Sequence, residues 1–234
     1  MDDFDNIKNV IHQKLRFLFV MLFCVAVVAC TSKIAEEKEF SGFLSDYSQL
    51  KSTKSFEEEG APVLLWVSPV LPERSYTKVM IDPVVLYPAP QPGPQIRSEV
   101  LTGIQVYLDK AVREEVGKKY EIVDERGKDV VRVRAAITGV KTSVEDLAAY
   151  EYIPIALVLA GASTAAGTRD ELVEIFLEAE MIDSLSGEKL AAGIRKGLGE
   201  PVESDEAQVE LENVRPVLDT WAKSVVNFLD ATIK

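Results

Sequence analysis

An apolar run from Leu15 to Ala29 follows the cations Lys8, Lys14 and Arg16, and it closes in Val27-Val28-Ala29-Cys30. Basic, then apolar, then small residues before a cysteine is the order of a bacterial secretion leader ending in a lipobox. The apolar core of such a leader runs about 7–15 residues, short of the about 20 that a spanning helix needs. The pattern predicts cleavage before Cys30, recognised through Val27, Val28 and Ala29, with a diacylglycerol on the Cys30 thiol. Cys24 lies in the same run but follows bulky Phe23, which spoils that position. Residues 1–29 are therefore expected to be a signal peptide, 30–40 the lipidated cysteine and a short charged tether, and 41–234 one folded domain. Two or more acyl chains anchor stably, at about 0.8 kcal/mol per buried methylene. Thr31 stands where enterobacterial inner-membrane retention uses Asp, so the expected location is the outer membrane of a Gram-negative cell, facing the periplasm.

The formal charge is -12, and the leader contributes three acids and three bases, so its removal leaves that charge unchanged. An acidic surface repels phosphates, and nucleic acid is not an expected partner. The only histidine, His12, lies in the leader, as does Cys24. With Cys30 acylated, no Ser-His-Asp triad, Cys-His pair, His-ligated zinc or disulfide can form in the mature chain. No metal or cofactor is expected. About 200 residues suffice for one domain with a real core.

Along the domain, Phe43, Tyr47 and Leu50 share one face of a short helix or turn, and Lys51 to Gly60 reads as a polar loop. Pro62–Ser68 and Tyr76–Leu86 read as strands, the second bent by Pro83. Pro88, Pro90, Pro92 and Pro94 make a stiff connector. Val100, Leu101, Ile104, Leu108, Ala111 and Val112 recur at helical spacing and predict a helix over 96–116, stopped by Gly117. Tyr120–Val123 is a short strand. Val130–Val140 alternates, with Val131, Val133, Ala135 and Ile137 opposite Arg132, Arg134 and Thr138. Leu147–Gly161 reads as a buried helix. Leu172–Ile182 alternates again, turns at 183–188 and returns as Lys189–Arg195. Asn213 caps a last helix with the stripe Val217, Leu218, Trp221, Val225, Phe228 and Leu229. The expected fold is α+β: a single antiparallel or mixed sheet of about five strands, with about three helices packed mainly on one face and the other face wet.

Two constellations stand out. Glu174, Glu178, Glu180 and Asp183 could bind a cation or act as acid and base. Their spacing is also that of one strand face, where cross-strand pairs with Arg132, Arg134, Lys189 and Arg195 account for them. The segment Ile153 to Gly167, with Ile153, Ile155, Leu157, Leu159 and Gly161, is too short to span a bilayer as a helix. A helix buried under the sheet, an exposed surface for a partner or a second copy, and insertion into the adjacent membrane all fit it. Nucleotide-loop and nucleophile-elbow motifs are absent from the sequence.

The stretches 41–50 (Ser-Gly-Phe-Leu-Ser-Asp-Tyr-Ser-Gln-Leu), 76–84 (Tyr-Thr-Lys-Val-Met-Ile-Asp-Pro-Val) and 178–188 (Glu-Ala-Glu-Met-Ile-Asp-Ser-Leu-Ser-Gly-Glu) resemble a bacterial lipoprotein family known only as domain of unknown function 3313. The resemblance implies a lipid-anchored secreted domain and carries over no catalytic residue. The function expected is a non-enzymatic interaction or scaffold module of the envelope. Its partners would be the membrane, through the lipid on Cys30, and an envelope protein or a second copy. A lipoprotein that binds or transports a small ligand or lipid is the alternative, and an enzyme using Glu178, Glu180 or Asp183 a third reading.

Overall fold

The computed structural model describes residues 34–56, 61–144, 171–204 and 206–233. The chain divides into two units, Met1–Thr31 and Ser32–Lys234. All described residues belong to the second; Val27–Cys30 and the segment 153–167 are not among the described residues.

That unit is built on one mixed sheet of eight strands, β1 (Lys51–Lys54), β2 (Pro62–Val67), β3 (Lys78–Ile81), β4 (Val85–Leu86), β5 (Glu121–Ile122), β6 (Val130–Val144), β7 (Glu171–Asp183) and β8 (Lys189–Leu198). Its order is β1-β2-β8-β7-β6-β3-β5, and β4 pairs with β6 beyond β3. Pairs β1–β2, β2–β8, β8–β7 and β7–β6 are antiparallel, whereas β3 runs parallel to both β5 and β6. Two α-helices, α1 (Ser98–Gly117) and α2 (Leu211–Thr232), pack on one face.

The expectation of about five strands and three helices is thus corrected to eight strands and, among the described residues, two α-helices. Lys51–Lys54, read as loop, is an edge strand with all four residues exposed, so backbone pairing alone makes it a strand. The single strand over 76–86 divides into β3 and β4 at Asp82-Pro83-Val84, because proline cannot continue a ladder. Of the helix or turn expected over 41–50 a turn forms, closed by Leu50 N–H donating to the Tyr47 carbonyl, and the third expected helix, 147–161, falls outside the described residues.

The helices form where the apolar spacing demands. Val100, Leu101, Ile104, Leu108, Val112 and Val116 of α1 and Val214, Leu218, Trp221, Ala222 and Leu229 of α2 are buried on the sheet with Val79, Val131, Ile137, Ile175 and Leu177. Helix α2 starts before Asn213, which still serves its terminus: Glu210 N–H donates to Asn213 Oδ1 at 2.8 Å. A bulge at Thr138 shifts the register of β6, so Ile137 faces Leu177 while Gly139 faces Phe176. The inward parity read for β6 therefore reverses, and Val140 rather than Gly139 joins the helix-side core.

The sheet's other face is not wet. Residues 35–50 lie across it and bury Ala35 and Leu44 against Phe176, Ala192 and Ile194, with Phe40, Phe43, Tyr47, Leu50, Leu64 and Trp66 around them. The expected solvated face is corrected to a second, smaller core.

Candidate functional site

The strap of residues 35–50 is held by the carboxylates of β7. Glu178, fully buried, accepts hydrogen bonds from Ser41 N–H at Oε1 (2.7 Å) and from Leu44 N–H (3.3 Å) and the Tyr47 hydroxyl (2.7 Å) at Oε2. The same hydroxyl accepts from Gly42 N–H at 2.7 Å, and Gly42 takes φ +88°, a left-handed turn that favours glycine. Tyr47 stacks on Phe40 with centroids 4.7 Å apart. Burial, then the hydrogen bond to Glu178, pushes the Tyr47 pKa up to about 12.

Glu174 holds the start of the strap. Lys141 Nζ lies 2.8 Å from Oε2 of Glu174 and 3.1 Å from Oε1 of buried Glu39, and Lys196 Nζ lies 3.1 Å from Oε1 of Glu174. Both ammoniums also sit over the Phe176 ring, at 5.1 and 5.6 Å from its centroid. Burial works against the Lys141 charge, but Glu174 and Glu39 overcome it and raise its pKa above the ordinary lysine value.

The other two carboxylates of the expected cluster, Glu180 and Asp183, serve other ends. Glu180 pairs with Arg134, which lies over the Phe43 ring. Asp183 accepts from Ser186 N–H and Leu185 N–H in the hairpin turn and from the Tyr76 hydroxyl at 2.7 Å. Burial raises the Asp183 pKa, but these donors outweigh it and leave it lowered. Glu174 and Glu178 stand about 13 Å apart along the strand. The four groups do not converge in a cleft, and no cluster among the described residues suits a metal ion.

A groove lies on the opposite face, between α2 and strands β2 and β8. Its apolar part has a volume of about 120 Å³ and is walled by Phe56, Val63, Leu65, Trp221, Val225 and Phe228. It adjoins a wider cavity of about 340 Å³ that Ser55, Thr220 and Pro216 help to line. The groove exists because the sheet beneath it is bare: Ala179, Ala191 and Gly193 form the floor. Phe56 closes one wall through a T-shaped contact with Phe228 (5.3 Å) and a hydrogen bond from Asn227 Nδ2 to its carbonyl (2.7 Å). Ser224 accepts from Arg195 Nη1 at 2.5 Å and donates to the Trp221 carbonyl.

The profile of the protein of unknown function family DUF3313 matches residues 39–225. The chain belongs to that family. This DUF3313 member is 34% identical over 204 residues to the uncharacterized lipoprotein YdcL of Escherichia coli, covering 87% of this chain and 91% of the relative. Among solved structures, it is similar to protein XCC0632 from Xanthomonas campestris (11% identity, 71% of this chain and 90% of that one, TM-score 0.40). It is also similar to the PelC dodecamer from Paraburkholderia phytofirmans (12% identity, 74% and 98%, TM-score 0.34). The DUF3313 chain is thus one of a lipoprotein family of unknown function.

In this DUF3313 protein, the residues that sequence reasoning missed are Glu39, Lys141, Lys196 and the groove set around Trp221. The signal for the groove was the small residues Ala191, Gly193 and Gly197, which leave these alternate positions of β8, interrupted by Arg195, with little bulk. For the strap it was the crowding of Phe40, Phe43, Leu44, Tyr47 and Leu50 in an otherwise polar stretch.

Proposed function

We propose that this lipoprotein is anchored by a lipid on Cys30 to the outer membrane, faces the periplasm, and acts as an interaction module without chemistry of its own. The docked strap carries this reading. Packing begins at Ala35, five residues beyond Cys30. An extended chain covers at most about 3.5 Å per residue, so about 17 Å is all the slack between lipid and body. A body held that close is a fixed platform for an envelope protein or a second copy. The β7 carboxylates, each engaged with its own partners, support binding over catalysis.

The test uses the full-length gene in a Gram-negative host. The wild-type chain is expected in the outer-membrane fraction of a density gradient, with an N-terminal peptide that begins at a diacylglyceryl Cys30 by mass spectrometry. Cys30→Ser is expected to leave that fraction. An unmodified sulfur at position 30, or a wild-type chain in the soluble fraction, overturns the anchor. Cross-linking in intact cells is expected to give one discrete complex, and a monomer alone counts against the interaction role.

The groove under α2 favours a second reading, a lipoprotein that holds a small ligand or lipid. A pocket walled by aromatic and aliphatic side chains with a few polar groups is the usual form of a ligand site.

A further inference from the structure

We propose that the groove between α2 and strands β2 and β8 binds one alkyl chain of a monoacyl amphiphile, chain inward and polar head at the mouth. This rests on the second reading above and names its site and ligand class.

Three observations carry it. First, the groove changes character along its length. The inner part is bounded by Leu65, Val225, Phe228 and Leu229, and the outer part adds Thr220, while Ser55, Val63, Arg195 and Trp221 line both. A strongly apolar space that adjoins a more polar one fits a molecule with the same division. Second, the inner volume of about 120 Å³ is close to that of a hole that accepts a benzene-sized guest, so it takes the methyl end of one chain and not two chains. Packed interiors leave few voids larger than a water, and an apolar hole of about 150 Å³ stays dry and accepts an apolar guest.

Third, the space is built into the backbone rather than left by a mobile side chain. Gly193 is opposite Ala179 in the β7–β8 register and Ala191 lies two residues before it, so the sheet presents little bulk at that point, between Leu177 and Met181. Helix α2 is seated close above. A methyl group at Gly197 would lie 2.3 Å from Val217 Cγ1 and 2.8 Å from the Trp221 ring. Gly197 thus fixes the roof at contact distance on one side while Ala179, Ala191 and Gly193 keep the floor open on the other.

The experiment uses tryptophan fluorescence. Trp221 lines the groove, and Trp66 packs on the strap face, so Trp66→Phe leaves one reporter. The probe is a lauroyl lysophosphatidylcholine brominated at the methyl end of its chain, titrated below its micelle concentration into the detergent-free, unlipidated Cys30→Ser chain. Saturable quenching of Trp221 is expected. Val225→Phe, which fills the groove from α2, is expected to weaken binding at least tenfold with the thermal midpoint unchanged. Leu65→Phe from the opposite wall is the second variant, expected to do the same where Val225→Phe does not fold. Saturable binding by calorimetry that neither filled variant weakens overturns this site and leaves the second reading standing. No saturable binding of the probe by either method overturns the site and that reading together.

Discussion

Tyr47 and Glu178, 131 residues apart in the chain, share a hydrogen bond of 2.7 Å that closes the strap onto the sheet. The carboxylate also takes two strap amides, so one side chain of β7 satisfies three donors from a segment that would otherwise leave them bare. Hydrogen bonds to a charged group contribute about 1.5–3 kcal/mol each, and removing the acceptor leaves the donors unpaired. Glu178→Ala is therefore expected to lower the unfolding free energy by about 3 kcal/mol, and Tyr47→Phe by about 1 kcal/mol. Urea titration measures both. Limited proteolysis is expected to cut Glu178→Ala within residues 35–50 before the rest of the domain. A wild-type cleavage pattern would show that the strap does not depend on this acceptor.

The raised pKa of Tyr47 sets an alkaline limit. A group whose folded pKa lies above its unfolded value keeps its proton in the folded state while the unfolded chain has lost it. Its stabilisation is complete below about pH 10 and lost as pH climbs towards about 12. The thermal midpoint is expected to fall across that window, and to fall less steeply in Tyr47→Phe. Equal slopes in the two proteins would remove Tyr47 from the account.

Lys141 bridges Glu39 of the strap and Glu174 of β7. Removing one member of a buried ion group costs about 3–5 kcal/mol where it leaves a charge unpaired, and without Lys141 buried Glu39 loses its ammonium while Lys196 still holds Glu174. Lys141→Met is expected to destabilise by that amount at neutral pH. The double replacement with Glu39→Gln, which leaves the Lys196–Glu174 pair intact, is expected to recover part of it. A single variant as stable as the wild type by urea titration would show that the cluster is solvated.

The bulge residue Thr138 is fully buried, and its Oγ1 has no hydrogen-bond partner among the described residues. Burying a hydroxyl unpaired costs about 1–3 kcal/mol. Thr138→Val keeps the shape and removes the hydroxyl, so it is expected to raise stability by about 1 kcal/mol. A decrease in the urea midpoint would reveal a partner for the hydroxyl.

Gly197→Ala is expected to destabilise by about 1–3 kcal/mol. Its new methyl group meets Val217 Cγ1 at 2.3 Å, and overfilled cores force side chains off their rotamers. Val217→Ala in the same chain is expected to restore part of the loss, which differential scanning calorimetry can follow.

What was legible in the sequence follows from how local the cause is. Helix α1 and strand β7 announce themselves because Ile104, Leu108, Val112 and Ile175, Leu177, Met181 repeat with the period of their own element. Edge strand β1 does not, because Lys51-Ser52-Thr53-Lys54 buries nothing and pairs only through its backbone. The alternation of Glu174, Glu178 and Glu180 was readable, but its meaning was not. A buried carboxylate that receives amides from a distant segment has the same spacing as one in water. The reversal of β6 after Thr138 is hidden for a similar reason, since an inserted residue shows only when the partner strand is known. The groove comes from side chains that are missing, and a run of Ala and Gly marks an absence without saying what borders it.

The β1 border of the sheet also bears on crowding. Lys51 and Lys54 stand exposed at the two ends of β1. Chains confined to one leaflet meet far more often than the same chains in free solution, and an unguarded strand would zip onto its twin. Two like-charged ammoniums on each rim repel that encounter, so neighbouring copies stay separate along this border.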